Sequence, residues 1–247
     1  MIRFAALPNT TLIGRISRLP LRILPKDLSV PILQGPARGK RWIIGSQRHA
    51  FWLGSYEPEM QKRIAQEVKA GGVFYDLGAN VGFYSLLAST LIGSGKVFAF
   101  EPLPSNVSYL RRHLALNHVA NVDVLEMAVC DQAGTAFFAA EQTGAMGRLQ
   151  NDGSVRVTTA TLDSLLQQQK IAPPNYVKMD IEGAELKALE GGKVCFQKYK
   201  PVLFLATHGK DIGRACVDLL SSWRFNLTYI EQESEERAEI LARPSRS

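Results

Sequence analysis

The stretch VFYDLGANVGFYS, residues 73–85, decides the fold because it predicts a buried strand, a tight turn and the start of a helix in one run. Residues 73–75 are strand formers, and apolar residues return at helical spacing over residues 83–91. Gly78 lets the backbone turn without a Cβ in the way, and Gly82 lets the helix pack closely over the strand end. This arrangement is typical of a ligand site at the edge of an α/β sheet.

Acidic residues around the turn indicate which ligand fits. A dinucleotide-binding turn carries three glycines and holds a pyrophosphate on the helix N-terminus, whereas this turn has two glycines and Asp76 ahead of them. Asp76 would repel a pyrophosphate and would accept the α-amino group of S-adenosylmethionine. A second predicted strand, residues 96–100, ends in Glu101, where a carboxylate can hold ribose hydroxyls. The residues therefore favour an S-adenosylmethionine site over the alternative, a purely structural turn.

Four ordered motifs give the chain a resemblance to a known family. They are YDLGANVGFYS (75–85), FAFEPLPSN (98–106), TLDSL (161–165) and VKMDIEGAE (177–185). From about residue 39 to the end, the sequence resembles the FkbM family of S-adenosylmethionine-dependent methyltransferases. The resemblance implies a class I methyltransferase fold, which is Rossmann-like, and O-methylation of a hydroxyl on a sugar, a polyketide or another small metabolite. It does not identify the acceptor.

The motifs also predict which residues contact the cofactor. The resemblance places the segment around Tyr56 and Glu57 over the cofactor, although Glu57 is equally explained as an acid at a helix start. With the strand order usual for the family, Ala128 and Val129 would flank the adenine. The full predicted set is Tyr56, Glu57, Asp76, Gly78, Ala79, Asn80, Gly82, Phe83, Glu101, Pro102, Asn106, Ala128, Val129 and Asp180.

Catalytic residues are expected at the ends of two further predicted strands, because ligands of an open α/β sheet bind outside the carboxyl ends of its strands. Asp180 ends the fourth strand and His208 lies at the tip of the fifth. His208 is the predicted general base, since an ordinary histidine pKa near 6.5 lets it take a proton at neutral pH. Glu182 and Glu185 complete the predicted catalytic set; the alternative for both is stabilisation of the following helix dipole.

The sequence departs from the family at the fifth strand. Relatives commonly carry a glutamate just ahead of the histidine, and residues 205–207 offer none. A cofactor-binding pseudoenzyme is therefore an alternative to an enzyme. A metal-assisted mechanism would need carboxylates clustered beside Asp180. Although Glu182 and Glu185 are close in sequence, no metal site is predicted.

Composition predicts one large soluble domain. The chain has 247 residues, of which 46% are hydrophobic and 21% charged, as in ordinary globular proteins. Three cysteines, Cys130, Cys195 and Cys216, are odd in number and far apart, which argues against a disulfide framework or a zinc site and predicts buried thiols. No stretch resembles a secretory signal or a membrane span, so a cytoplasmic location is expected.

Positive charge is concentrated at the front of the chain. Residues 1–50 carry nine Lys or Arg against one Asp, whereas the rest carries 20 basic and 22 acidic residues. We predict a basic, proline-rich arm over residues 1–38, with a short amphipathic helix at 11–19, and a methyltransferase domain over residues 39–247. The arm could meet RNA, an anionic membrane surface or an acidic substrate. Packing against the domain, or against a partner chain in a homo-oligomer, is the favoured role.

Alternating strands and helices predict an α/β fold with a mostly parallel sheet covered on both faces. A C-terminal antiparallel hairpin, residues 225–230 with 239–241, would close it. Residues 39–53 are predicted as strands at the entrance, residues 122–129 as one strand, and the polar loop 143–147 as a cover or a surface hairpin. A nucleic-acid-binding protein or RNA methyltransferase is the alternative function. A small-molecule or glycan acceptor is favoured, because the domain lacks a wide basic face with aromatic residues.

Overall fold

The computed structural model describes residues 24–140, 147–150, 155–232 and 234–245, with backbone alone at 138–140 and 147–150. The predicted amphipathic helix at 11–19 and residues 143–146 of the predicted cover lie outside these ranges. Within them, no helix is long and apolar enough to cross a membrane.

The elements follow one another in the order expected of an α/β protein. The strands are β1 (Ser29–Pro31), β2 (Arg41–Ile43), β3 (Val73–Leu77), β4 (Lys96–Phe100), β5 (Val122–Leu125), β6 (Ala128–Val129), β7 (Gly134–Ala140), β8 (Gly147–Gln150), β9 (Val155–Ala160), β10 (Tyr176–Met179), β11 (Val202–His208), β12 (Phe225–Gln232) and β13 (Arg237–Pro244). The helices are α1 (Ala50–Leu53), α2 (Pro58–Glu67), α3 (Phe83–Ile92), α4 (Pro104–Leu116), α5 (Leu162–Gln167), α6 (Glu185–Gly191) and α7 (Lys210–Ser222), with a 3₁₀ turn at Ile44–Ser46 and a π-helical turn at Cys195–Tyr199.

The main sheet has the strand order β12-β13-β11-β10-β3-β4-β5 among the described residues. Strands β11, β10, β3, β4 and β5 run parallel, and the β12–β13 hairpin pairs antiparallel to β11. One core, with Ile64 and Leu87, covers one face of the sheet, and a second core, with Leu189 and Leu220, covers the other. The predicted class I methyltransferase architecture with a C-terminal hairpin is confirmed, and the carboxyl ends of β3, β4 and β10 meet at one edge.

Two local predictions are wrong, each because the chain changes direction. Residues 122–129 form two strands: β5 belongs to the main sheet, while β6 pairs with β9 in a second sheet of order β6-β9-β7-β8. A tight turn, in which Met127 N–H bonds to Leu125 O at 2.9 Å, separates them. Residues 39–53 form one strand, a 3₁₀ turn and the short helix α1, which ends at left-handed Gly54 (φ 72°). A helical turn buries both Phe51 and Trp52.

The predicted boundary at residue 38 falls between two paired strands, since β1 and β2 form an antiparallel pair. The three cysteines are buried and free, as predicted. Burial raises the pKa of both Cys195 and Cys216 to about 12, so these thiols stay protonated.

His113 joins the front of the chain to the central turn. Its Nε2 accepts from the Ile43 N–H at 3.1 Å, and its Nδ1–H donates to Val81 O at 2.7 Å. The ring stacks on Trp42, with the ring centroids 3.9 Å apart. These contacts require the neutral ring, and burial lowers the pKa of His113 to about 4.

We expect this histidine to make stability depend on pH. Its pKa is about 4 in the folded chain and about 6.5 when unfolded, so the unfolded state binds the proton first and stability falls as pH drops from 6.5 towards 4. Between pH 7.5 and 5, the wild type should lose roughly 2 kcal/mol more unfolding free energy than His113→Gln. Urea unfolding at both pH values measures this. His118→Gln, at an exposed site, is the control, and parallel pH dependence of wild type and His113→Gln would contradict the assignment.

Candidate active site

The turn between β3 and α3 is shaped by two close backbone approaches. Gly78 (φ 82°) lies against the carbonyl oxygen of Asp180, which a Cβ at this position would overlap. Gly82 (φ 95°) lies against the side chain of Leu110 in α4, which a Cβ would also overlap. Gly78 therefore lets the turn close without a Cβ, as the sequence predicts, whereas Gly82 lets α3 pack against α4 rather than over the strand end.

Glu101, directly after β4, organises the same turn from the other side. Its Oε2 accepts from Asn80 N–H at 2.8 Å, and its Oε1 accepts from Leu103 N–H at 3.0 Å and from the Asn106 amide at 3.1 Å. Burial raises its pKa to about 7 against the effect of these hydrogen bonds. Since a carboxylate has about four acceptor positions, one position on Oε2 is left for a ligand.

A cleft opens at the carboxyl ends of β3, β4 and β10, beside β6. Of the predicted cofactor residues, those that line it are Tyr56, Gly78, Ala79, Asn80, Phe83, Glu101, Pro102, Asn106, Ala128, Val129 and Asp180. Rings stack along one wall, where the centroids of Phe51 and Tyr56 are 4.0 Å apart. Glu182 also lines the cleft.

A buried ion pair between Lys178 and Asp180 lies at the base of the cleft, between β10 and α3. Lys178 Nζ donates to Asp180 Oδ2 at 2.8 Å and lies 4.6 Å from the centroid of the Tyr84 ring. Burial lowers the pKa of Lys178, but the charges of Asp180, Glu57 and Asp76 outweigh burial and raise it above its usual value. Lys178 is therefore a permanent cation inside the sheet.

His208, the last residue of β11, lies in a group of three carboxylates. Its Nδ1 is 3.0 Å from Glu185 Oε1, and its Nε2 is 3.6 Å from Asp180 Oδ1 and 3.5 Å from Glu182 Oε2. Glu185 Oε1 also accepts from the Gly183 N–H at 3.0 Å. The catalytic set predicted from the sequence therefore assembles in space, although its members come from β10, β11 and the start of α6.

The charged residues in this group shift one another's pKa values. Burial raises the pKa of Asp180, but Lys178 and His208 outweigh it and hold the pKa below its usual value. Burial raises the pKa of Glu182. Burial lowers the pKa of His208, but the bond to Glu185 and the charges of Asp180 and Glu182 outweigh it, and the net shift is upward.

The single crevice expected from the sequence is two adjoining pockets. Glu182, Ala184 and Arg237 line both the cleft and a second pocket, and His208 lines the second one with Lys187. The Nε2 atom of His208 is buried behind Asp180 and Glu182. That His208 acts as the general base stays a prediction.

Comparison with known proteins supports the same reading of the motifs. Residues 76–240, more than half of the chain, match the family described as the methyltransferase FkbM domain. The chain belongs to the FkbM methyltransferase family.

Relatives in this family act on different molecules. The chain is 28% identical over 137 residues to the hexuronic acid methyltransferase AglP of Haloferax volcanii, covering 55% of this chain and 56% of that protein. It is 38% identical over 72 residues to the 31-O-demethyl-FK506 methyltransferase FkbM of Streptomyces tacrolimicus, covering 29% and 27%. The chain thus spans about half or less of these curated relatives. A solved methyltransferase FkbM from Methylobacillus flagellatus KT shares the fold, with a TM-score of 0.50 at 15% identity over 79% of this chain and 55% of that one.

Three predicted cofactor residues of this FkbM chain, Glu57, Asp76 and Gly82, lie outside the lining of the cleft. Asp76 is buried, and its Oδ2 accepts from the Ser85 hydroxyl at 2.6 Å. Burial raises its pKa to about 6 against the effect of Lys178. Glu57 accepts from the Tyr84 hydroxyl at 2.7 Å and pairs with Arg237 at 3.4 Å. Asp76 and Glu57 therefore lie behind the residues that line the cleft, and the contact of Asp76 with the amine of the cofactor stays a prediction.

Sequence reasoning missed a further set of lining residues. They are Gln47, Arg48, Phe51, Val81, Tyr84, Phe100, Leu103, Met127, Lys178, Ile181, Ala184 and Arg237. Those within residues 81–84, 100–103 and 178–184 belong to the quoted motifs, so the motifs could have indicated them. Arg237, by contrast, is the first residue of β13 and reaches the site because β13 pairs with β11.

The fifth parallel strand, β11, has no glutamate just ahead of His208, but a glutamate lies on the neighbouring strand β13. Ala206 lies opposite Glu239 of β13, whose side chain is buried in the FkbM domain. Burial raises the pKa of Glu239 to about 8, and the charge of Glu57 adds to this. A carboxyl group therefore lies beside the strand segment for which the family resemblance implies one.

The close approach of Gly78 to β10 can be tested against a matched glycine. Gly71 has a similar φ of 86° and no other atom within 4 Å of the added Cβ, so Gly71→Ala reports only the strain of positive φ. Gly78→Ala should lose about 1–3 kcal/mol more, because its Cβ overlaps the Asp180 carbonyl. Chemical denaturation of both variants measures this difference. Equal losses would show that the turn can relax away from β10.

Proposed function

We propose that this chain is an S-adenosylmethionine-dependent methyltransferase that methylates a hydroxyl oxygen on a sugar or another small molecule. The observation that carries the proposal is the cleft, in which the glycine turn and the carboxylates of Glu101, Asp180 and Glu182 lie together at the carboxyl ends of β3, β4 and β10. Membership of the FkbM family supports methyl transfer. The name of one relative, 31-O-demethyl-FK506 methyltransferase, supports oxygen as the acceptor atom.

We propose one orientation of the cofactor in the cleft. The free acceptor position on Glu101 suits a ribose hydroxyl, because a carboxylate at this strand end is where such folds hold the ribose. Ala128 and Val129 offer an apolar wall for the adenine on the β6 side. The methionine end then points towards Asp180 and Glu182, so the methyl group faces the junction of the two pockets.

The reaction needs alignment more than activation. The acceptor oxygen bonds to the methyl carbon as the carbon–sulfur bond breaks; sulfur keeps the electron pair and becomes neutral, and the hydroxyl proton leaves to a base or to water. A positively charged leaving group makes the methyl reactive, so the protein must hold the oxygen in line and help to remove its proton. The cluster around His208 lies where that oxygen would enter.

The second pocket offers two cationic side chains to an acceptor, beside the acidic residues Glu182 and Glu236. Lys187, which is exposed, and Arg237 line it beside His208, and cationic side chains of this kind bind carboxylates. The relative from Haloferax volcanii is a hexuronic acid methyltransferase. We therefore propose a sugar acid, entering through the second pocket, as the acceptor.

Cofactor binding is tested at Glu101. Glu101→Ala should weaken S-adenosylmethionine binding at least tenfold, about 1.4 kcal/mol, because it removes the ribose acceptor and releases the turn at Asn80. Isothermal titration calorimetry of the variant and the wild type measures this. Glu126→Ala, which breaks an exposed ion pair with Arg111, is the control and should bind normally. Equal affinity in the Glu101 and Glu126 variants would remove Glu101 from the site.

Acceptor preference is tested at Lys187. With isotopically labelled cofactor, hexuronic-acid oligosaccharides should be methylated faster than their neutral counterparts, and Lys187→Gln should reduce this preference by about tenfold, the worth of one charge-assisted hydrogen bond. Lys193→Gln, at an exposed site at the other end of α6, is the control. If neither class of glycan takes up label while a lipid, polyketide or RNA does, the acceptor assignment is wrong.

A further inference from the structure

The cluster around His208 carries an inference about a ligand that the sequence did not predict. We propose that Asp180, Glu182 and His208 bind a divalent cation at the junction of the cleft and the second pocket. One ligand atom from each residue lies within 4.8 Å of the other two. Binding of the cation is independent of the proposed function, and its catalytic use rests on that function.

The separations within the cluster fit a shared cation better than hydrogen bonds. His208 Nε2 is 3.6 Å from Asp180 Oδ1 and 3.5 Å from Glu182 Oε2, whereas an N–H···O bond has its atoms about 2.7–3.2 Å apart. Two ligands about 2.1–2.2 Å from one ion are about 3.0–3.6 Å apart at angles of 90–110°. Both nitrogen–oxygen separations therefore match pairs of ligands of one cation.

The imidazole is oriented for coordination. Glu185 Oε1 lies 3.0 Å from Nδ1 and is itself fixed by the Gly183 N–H, so Nδ1 donates its proton to Glu185, and in the neutral ring, the form that binds a cation, Nε2 presents its lone pair. A carboxylate that holds the far nitrogen in this way is the usual support of a metal-binding histidine. Glu185 is fully buried behind His208 and acts as a positioning residue.

Two buried polar atoms in the cluster lack partners, which points to a ligand independently of the acidic residues. Neither His208 Nε2 nor Asp180 Oδ1 has a hydrogen-bond partner among the described residues. The His208 side chain is only 8% exposed. A buried lone pair facing two carboxylate oxygens is unfavourable unless positive charge lies between them. A divalent cation would satisfy all three groups at once.

Nearby cations do not cancel the negative charge. Lys178 binds Asp180 through Oδ2 and leaves Oδ1 for the cluster. Arg237 also acts on Asp180 and Glu182, but it is paired with Glu57. The carboxylates of Asp180, Glu182, Glu185 and Glu57 thus outnumber the cations Lys178, Arg237 and protonated His208, and the neighbourhood retains an excess of negative charge.

The ligand set indicates the class of cation and its use. Two carboxylate oxygens and one imidazole nitrogen suit Mn²⁺ or a related divalent ion. Three protein ligands leave coordination positions open towards the second pocket, where the acceptor hydroxyl would bind. A cation held by Asp180, Glu182 and His208 would lower the pKa of such a hydroxyl and orient its oxygen towards the methyl group. In this arrangement His208 is a metal ligand rather than the general base.

The test uses the full chain after treatment with a chelator, without cofactor or acceptor. Titration with Mn²⁺, followed by electron paramagnetic resonance, should show about one bound ion per chain. Glu182→Gln should weaken binding at least tenfold, and Glu185→Gln should weaken it by about 10–100-fold through its effect on His208. Glu236→Gln, which changes another acidic residue of the second pocket, is the control and should bind as the wild type does.

A measurement on the wild type guards against misfolded variants. Bound Mn²⁺ should broaden the imidazole resonances of His208 and leave those of exposed His118 sharp. The proposal is overturned if Mn²⁺, Mg²⁺ and Zn²⁺ all fail to bind, or if Glu182→Gln and Glu185→Gln bind them as tightly as the control. Methyl transfer that persists in a chain shown to bind no metal would overturn this site and leave the proposed function standing. Metal binding without methyl transfer to any acceptor would overturn the proposed function and leave the metal site standing.

Discussion

The ion pair between the buried ammonium group of Lys178 and Asp180 is the interaction on which the acidic residues of the site depend. It lies inside the main sheet with its side chain 2% exposed and donates to Asp180. Its charge also acts on Asp76 and Glu239. Carboxylates gathered this closely in a low-dielectric interior would repel one another or take up protons. Lys178 allows Asp180 to stay ionised at the edge of the cleft.

In Asp180 and Glu101, some carboxylate oxygens bind other protein groups and others keep unused acceptor positions. Asp180 uses Oδ2 for Lys178 and turns Oδ1 towards His208. On the other side, Glu101 spends three acceptor positions on the turn and keeps one. Glu101 thus uses most of its acceptor positions to fix the turn, whereas Asp180 makes one hydrogen bond, to Lys178, and its Oδ1 has no hydrogen-bond partner among the described residues. Such fixed groups need little rearrangement when a reaction begins.

Segments from the two ends of the chain complete the cleft. Gln47, Arg48 and Phe51 come from the region before the main sheet, and Arg237 comes from the last hairpin. His113 ties the front segment to the central turn through bonds to Ile43 and Val81. These two segments therefore form one part of the cleft lining, which we call the outer wall. The other part, the inner wall, is formed by the carboxyl ends of the strands, where α/β folds bind their ligands.

The sequence by itself determined the local elements whose residues are contiguous. The run around Gly78, the acid Glu101 one strand later, and the DIEGAE motif after β10 each carry their own pattern, so the fold, the turn and most of the inner wall were predictable. Only the tertiary structure decided what the charged groups face. It buried Asp76 behind the cleft, because β10 places Lys178 beside it in register, and it brought Arg237 and Glu239 to the site through the pairing of β13 with β11. Burial and contact between distant strands set the charge of a side chain and the hydrogen-bonding positions that it leaves unused. The neighbouring residues in the sequence encode neither of these.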